Sequence, residues 1–145
     1  MGNQLPSPKR GTAPPNFRHM SVTRRVLFFV SRVACQVEFL DLTLPQYWLP
    51  RYDWVLSMEV LEHISVQYET VVLDNIDRAA GYGAVISWAA PGQGGLHHVN
   101  NRPAEYLNKV MTIRGFRLDL PASKKLRSAA KYAWLRQNLM VFYRL

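Results

Sequence analysis

Apolar and polar positions alternate along this chain in short blocks, and the blocks predict its elements. Trp54-Val55-Leu56-Ser57 is almost continuously apolar and is fenced by Pro50 and Asp53, as expected of a strand in a parallel sheet covered on both faces. Beyond it Leu61, Ile64, Tyr68, Val72, Ile76 and Ala79 recur at helical spacing, and "GYG" at Gly81 to Gly83 is expected to close that helix. Ala84 to Ala89 reads as a second buried strand, followed by a "PGQGG" loop, Pro91 to Gly95, leading into "LHHVNNRP". A helix is expected from Pro103 to Gly115, then a short strand in "FRLDL", a basic helix over Lys124 to Arg136, and a closing strand in "LMVFYRL". Upstream, Val26–Val30 and Gln36–Leu40 are expected strands, and Pro45 and Pro50 interrupt regular structure between them and Trp54. Strands alternating with helices predict an α/β sheet, with the last two strands antiparallel.

The first seventeen residues, "MGNQLPSPKRGTAPPNF", offer little to pack, so residues 1–20 are expected to form a disordered basic, Pro-rich tail and residues 21–145 the α/β domain. At 145 residues and 48% hydrophobic content the chain can bury a core of its own. The net charge of +8 is concentrated: six basic residues and no acid precede Glu38. A nucleic-acid surface would interleave basic and aromatic residues on folded structure, so nucleic acid is not the expected partner. A single cysteine, Cys35, excludes an internal disulfide framework and fits a reducing, cytoplasmic setting. No apolar run approaches the length of a membrane span.

From residue 36 onward the blocks resemble, in order, the C-terminal half of a class I S-adenosylmethionine-dependent methyltransferase. "VEFLDLTLP" resembles the third strand of that family, "YDWVLSMEVLEHI" the fourth strand and its helix, and "GAVISWAAPGQGG" the fifth strand and the loop beyond. "RPAEYLNKVMTIRGFRLD" and "NLMVFYRL" resemble the last helix with strand six and the antiparallel strand seven. The resemblance implies a partial Rossmann-like methyltransferase sheet, mostly parallel with an antiparallel C-terminal strand. It implies S-adenosyl-L-methionine as cofactor and a small-molecule acceptor, with Asp41 and Leu42 near the adenine and Ser57, Met58, Glu59 and Val60 beside the methionine portion. The glycine-rich loop and ribose-binding acid of the family have no counterpart before Val37, where Gly2 and Gly11 are the glycines and no acid occurs. A C-terminal portion of the fold is therefore expected, either as a truncated methyltransferase or as a non-catalytic, partner-binding relative. Because the first strand sits beside the fourth in the family's order, Trp54–Ser57 is expected at a sheet edge unless Val26–Val30, which carries no glycine loop, fills the gap.

Other residues carry chemistry with competing structural readings. Ser57 and Glu59 also suit a strand-to-helix turn as cap and first-turn acid. Glu62 and His63 are a candidate acid and base, yet neighbouring helical residues point about 100° apart, so His63 alone is expected to line a cleft. His97 and His98 follow a glycine loop beyond a strand end, where a general base or a surface pair both fit. No metal site is expected, because Glu59 to His63 lacks the second histidine a helical zinc motif requires. Trp48, Trp54 and Trp88 are expected in the core, Trp134 is expected to pack its helix on the sheet, and the lysines and arginines from Lys124 to Arg136 form a solvated face.

Overall fold

A computed structural model describes residues 40–145 of the protein. Residues 1–20, Val26–Val30 and Cys35 therefore lie outside the described residues, as does all of the Gln36–Leu40 strand except Leu40, which forms an isolated β-bridge and is buried.

Four strands form one sheet in the order β1-β2-β4-β3. β1 is Tyr52–Ser57, β2 Ala80–Ile86, β3 Phe116–Leu118 and β4 Met140–Arg144. β1 pairs with β2 in parallel, while β4 runs antiparallel to both β2 and β3. Three strands thus share one direction and the C-terminal strand opposes them, as the sequence pattern predicts. Among the described residues β1 is an edge strand, and Val26–Val30, the segment the sequence offers beside it, lies outside them.

The helices are α1 (Glu69–Ala79), α2 (Ala104–Ile113), α3 (Leu120–Ala129) and the single turn α4 (Leu135–Asn138). The predicted first helix is broken at its start into two 3-10 turns, Leu61–His63 and Val66–Tyr68. Its apolar stripe survives the break, since Leu61, Ile64, Val72, Ile76 and Ala79 all enter the core. Alternation along the strands sends Val55, Ala84, Ile86, Met140 and Phe142 to the same face of the sheet. Leu107 and Met111 of α2 complete that cluster. Burying a side chain of this size contributes roughly 1.5–3 kcal/mol, so this face accounts for most of the stability of the domain.

The opposite face is covered unevenly. α3 lies against β4, where Ser123 Oγ accepts the Val141 N–H at 2.9 Å and donates to the Asp119 carbonyl. Asp119 caps α3, its Oδ1 accepting the Ala122 N–H at 2.8 Å, and Pro121 follows in the first turn. Asp119→Ala is expected to cost about 1 kcal/mol, read as a thermal midpoint lower by about 5 °C. Among the described residues nothing packs over β1 on this face, where Trp54, Leu56 and Tyr143 are exposed.

Several expectations are corrected here. "GYG" does not end the helix: α1 closes at Ala79, and both glycines lie within β2. They are needed for close approach. A Cβ on Gly81 would stand 2.7 Å from the Tyr52 carbonyl oxygen, at the bulge between Tyr52 and Trp54, and one on Gly83 would strike Phe142 and Trp54. Trp88 is in the core at 3% exposure, but Trp48 is 67% exposed and Trp54 39%. Trp54 lies across Gly83 and meets Tyr143 edge to face, with centroids 5.0 Å apart. Trp134 does not pack on the sheet. It stacks on Tyr132 in the exposed link between α3 and α4, because the predicted basic helix breaks after Ala129.

One polar residue the pattern did not single out organises the entry to the domain. Asn75 of α1 is buried, donates to the carbonyls of Leu42 and Leu44, and accepts the Gln46 N–H. It fastens residues 42–46 to α1, satisfying a loop that would otherwise bury bare backbone.

Candidate functional site

Open α/β sheets place ligands beyond the carboxyl ends of their parallel strands. In this chain β1 and β2 end at Ser57 and Ile86, and the two loops that leave them, residues 58–68 and 87–103, meet there. Ser87 N–H donates to the Ser57 carbonyl and extends the pairing past the strands. At the other end of the sheet, a groove of about 550 Å³ is lined by Tyr47, Asp74, Asp77 and Arg144 among others. Both of its acids are already engaged: Arg144 binds Asp77, and Arg114 binds Asp74 from outside the groove.

Ser57 is fully buried, and its hydroxyl has no hydrogen-bond partner among the described residues. Glu59 adopts a left-handed backbone, φ 54°, unusual for a residue with a side chain. Ser87 Oγ holds it from two sides, accepting the Glu59 N–H and donating to Glu59 Oε1, each at 2.8 Å. Met58 is half-buried between them, and Val60 turns into the core.

Glu62 follows in the 3-10 turn and is wholly buried, yet among the described residues neither carboxylate oxygen has a well-formed hydrogen bond. Burial pushes its carboxyl up to about 7. The nearby N–H groups of Glu62 and Ala89 pull the other way without forming well-aligned bonds, while the Glu59 charge adds to the rise. The backbone of Glu62 does different work. Its carbonyl accepts the N–H of Val99 at 2.8 Å and of Asn100 at 3.1 Å, which docks the second loop onto the first.

That docking brings His98 against His63, with ring centroids 5.0 Å apart and edge to face. His63 Nδ1 lies 3.2 Å from the His97 carbonyl oxygen, and His98 Nδ1 is buried without a partner. One ligand-type atom from each of Glu62, His63 and His98 falls within 4.8 Å of the others. Sequence spacing did not show this group, since thirty-five positions separate the two histidines. Of the predicted histidine pair, His98 joins the group and His97 is exposed, with a left-handed backbone, φ 59°.

Behind the group stands Glu69, another residue the sequence did not mark. It accepts from Tyr106 Oη, from Asn100 Nδ2 at 2.9 Å and from Arg102 Nε at 3.0 Å. Asn100 also receives Trp88 Nε1 on its carbonyl, so the second loop is pinned between α1 and α2. Asp41 and Leu42 lie elsewhere. Asp41 Oδ1 accepts from Thr43 N–H and Oγ1, and Leu42 is buried with its carbonyl on Asn75.

No family model and no curated protein matches the sequence. Among solved structures, the chain is similar to the magnesium protoporphyrin IX methyltransferase of Synechocystis PCC 6803 with bound SAH, at a TM-score of 0.50 and 15% identity. The match covers 73% of this chain and 49% of that one, so this chain spans about half the length of its structural relative. A structure described as a pericyclic reaction enzyme aligns at a TM-score of 0.46 and 16% identity, over 73% of this chain and 29% of that one. Together with the strand order, the first likeness shows a partial Rossmann-like methyltransferase fold. Among the described residues no helix is long and apolar enough to cross a membrane.

Proposed function

We propose that the chain supplies one wall of an S-adenosylmethionine-dependent methyltransferase cleft acting on a small-molecule acceptor. The observation that carries this reading is the carboxyl end of β1, where a buried Ser57 hydroxyl without a partner adjoins the left-handed Glu59. A buried hydroxyl costs free energy until a ligand or water meets it, so this position fits a polar group of a bound cofactor. In this reading Ser57 to Val60 flank the methionine portion, and Asp41 and Leu42 contribute at the adenine end. Bound S-adenosylmethionine supplies the methyl group. The protein's part is alignment, and the fixed Ser87–Glu59 pair serves it by holding the turn in one conformation. In the same reading His63, at the mouth, touches the acceptor.

A second reading, a non-catalytic domain that docks on a partner, draws on the exposed Trp54, Leu56 and Tyr143 on one face of the sheet. Calorimetric titration of the full chain with S-adenosylmethionine separates the two. Micromolar binding, weakened about tenfold or more by Ser57→Val, is expected for the cleft. Absence of any heat, with the melting curve intact, would leave the docking domain standing alone.

A further inference from the structure

We propose that Glu62, His63 and His98 form a binding site for a zinc-like divalent metal ion. The donor set is two imidazoles and one carboxylate, a combination that suits zinc and neighbouring transition ions and leaves a fourth position for water or a substrate oxygen. Ligand atoms at about 2.0 Å from an ion stand roughly 3.3 Å apart, so atoms now within 4.8 Å would close by at most about 1.5 Å.

Three features favour a cation here, and a fourth fixes the place of one ligand. First, Glu62 is completely buried and neither carboxylate oxygen has a well-formed hydrogen bond among the described residues, so a cation would supply the partner that the poorly aligned N–H groups of Glu62 and Ala89 do not. Secondly, His63 Nδ1 faces the His97 carbonyl. An N–H donated there leaves the lone pair on Nε2, and metal-bound histidines are commonly oriented by such a backbone acceptor. Thirdly, His98 Nδ1 is buried without a partner, so its lone pair too is uncommitted. Fourthly, the position of His98 depends on a glycine: a Cβ on Gly95 would stand 2.1 Å from His98 Nε2. The Val99 and Asn100 N–H bonds to the Glu62 carbonyl then fix the spacing between the two loops. This inference does not rest on the methyl-transfer reading, and a chain that ignores S-adenosylmethionine can still bind the ion.

The test uses the full chain, stripped with chelator and titrated with Zn²⁺ by calorimetry and with Co²⁺ by visible absorption. One equivalent of Zn²⁺ is expected to bind, and Co²⁺ is expected to give the strong visible bands of low-coordinate nitrogen–oxygen ligation. Excess Mg²⁺ should not displace either ion, since it prefers all-oxygen sites. His63→Gln and Glu62→Gln, which keep side-chain volume, should each weaken binding by on the order of 100-fold or more, and His98→Asn likewise. His97→Asn tolerates the left-handed backbone and keeps the His97 carbonyl, so its affinity should match the parent. Metal-free melting curves for each variant separate lost ligands from lost structure. No stoichiometric binding by the folded parent, or equal losses in His97→Asn and His63→Gln, would overturn the site.

Discussion

Gly83→Ala is expected to cost about 3 kcal/mol or more and to lower the thermal midpoint by on the order of 10–20 °C. The added Cβ would stand 2.3 Å from the Phe142 carbonyl oxygen and 2.6 Å from Trp54 Cζ3. Trp54 is half-exposed and can swing away. The carbonyl cannot, because Phe142 lies in the central pairing of β2 with β4 and its own side chain is fully buried. Relief of the clash therefore means parting two inner strands, and a domain held by about 5–15 kcal/mol has little margin for that. Gly94→Ala is the matched control. Nothing lies within 4 Å of its Cβ position, and its effect should stay within about 0.5 kcal/mol. Equal melting curves for the two variants would show that the sheet is looser at Gly83 than its geometry implies.

The second large effect is expected at Glu69. Glu69→Ala removes the acceptor for Tyr106, Asn100 and Arg102 together, at a cost of about 2–3 kcal/mol. Arg102 retains some solvent and rests over the Tyr106 ring, 4.7 Å from its centroid, which moderates the loss. The same cluster sets a pH dependence. Burial alone would raise the Glu69 carboxyl, but the three donors and the Arg102 charge outweigh it and hold the group below 4.5. A carboxyl lowered by folding adds stability that is present above about pH 4.5 and disappears as pH falls through the lowered value. Melting curves between pH 7 and pH 3 should therefore fall more steeply for the parent than for Glu69→Gln. Parallel curves would mean that the cluster is not coupled to folding.

Much of the architecture was legible because it depends on local periodicity. The stripe from Leu61 to Ala79 and the closing strand follow from burial, and the structure has them, whereas the run Trp54–Ser57, expected to be covered on both faces, buries Val55 and Ser57 and leaves Trp54 and Leu56 exposed. "GYG" misled because glycine serves two ends, permitting a left-handed cap and permitting close approach, and composition alone does not distinguish them. Trp54 misled for a related reason: it fills the slot that Gly83 leaves, on the open side of the sheet, a neighbour relation set by strand register. The grouping of Glu62, His63 and His98 was hidden because it is made by backbone bonds between two loops, to which side-chain spacing is blind. The residues that pin those loops, Glu69 and Asn100, read as ordinary helix-start and loop polars.

The left-handed Glu59 has a bearing on how variants of this chain would be sorted. Relief of the strain by Glu59→Gly is worth roughly 1 kcal/mol, and the lost hydrogen bond from Ser87 Oγ to the carboxylate is worth about the same in the opposite direction. Folding yield is then nearly indifferent to which of the two residues stands at 59. In a randomised library, enrichment of glutamate at that position would be a record of use, since thermodynamic fitness would leave the choice to chance.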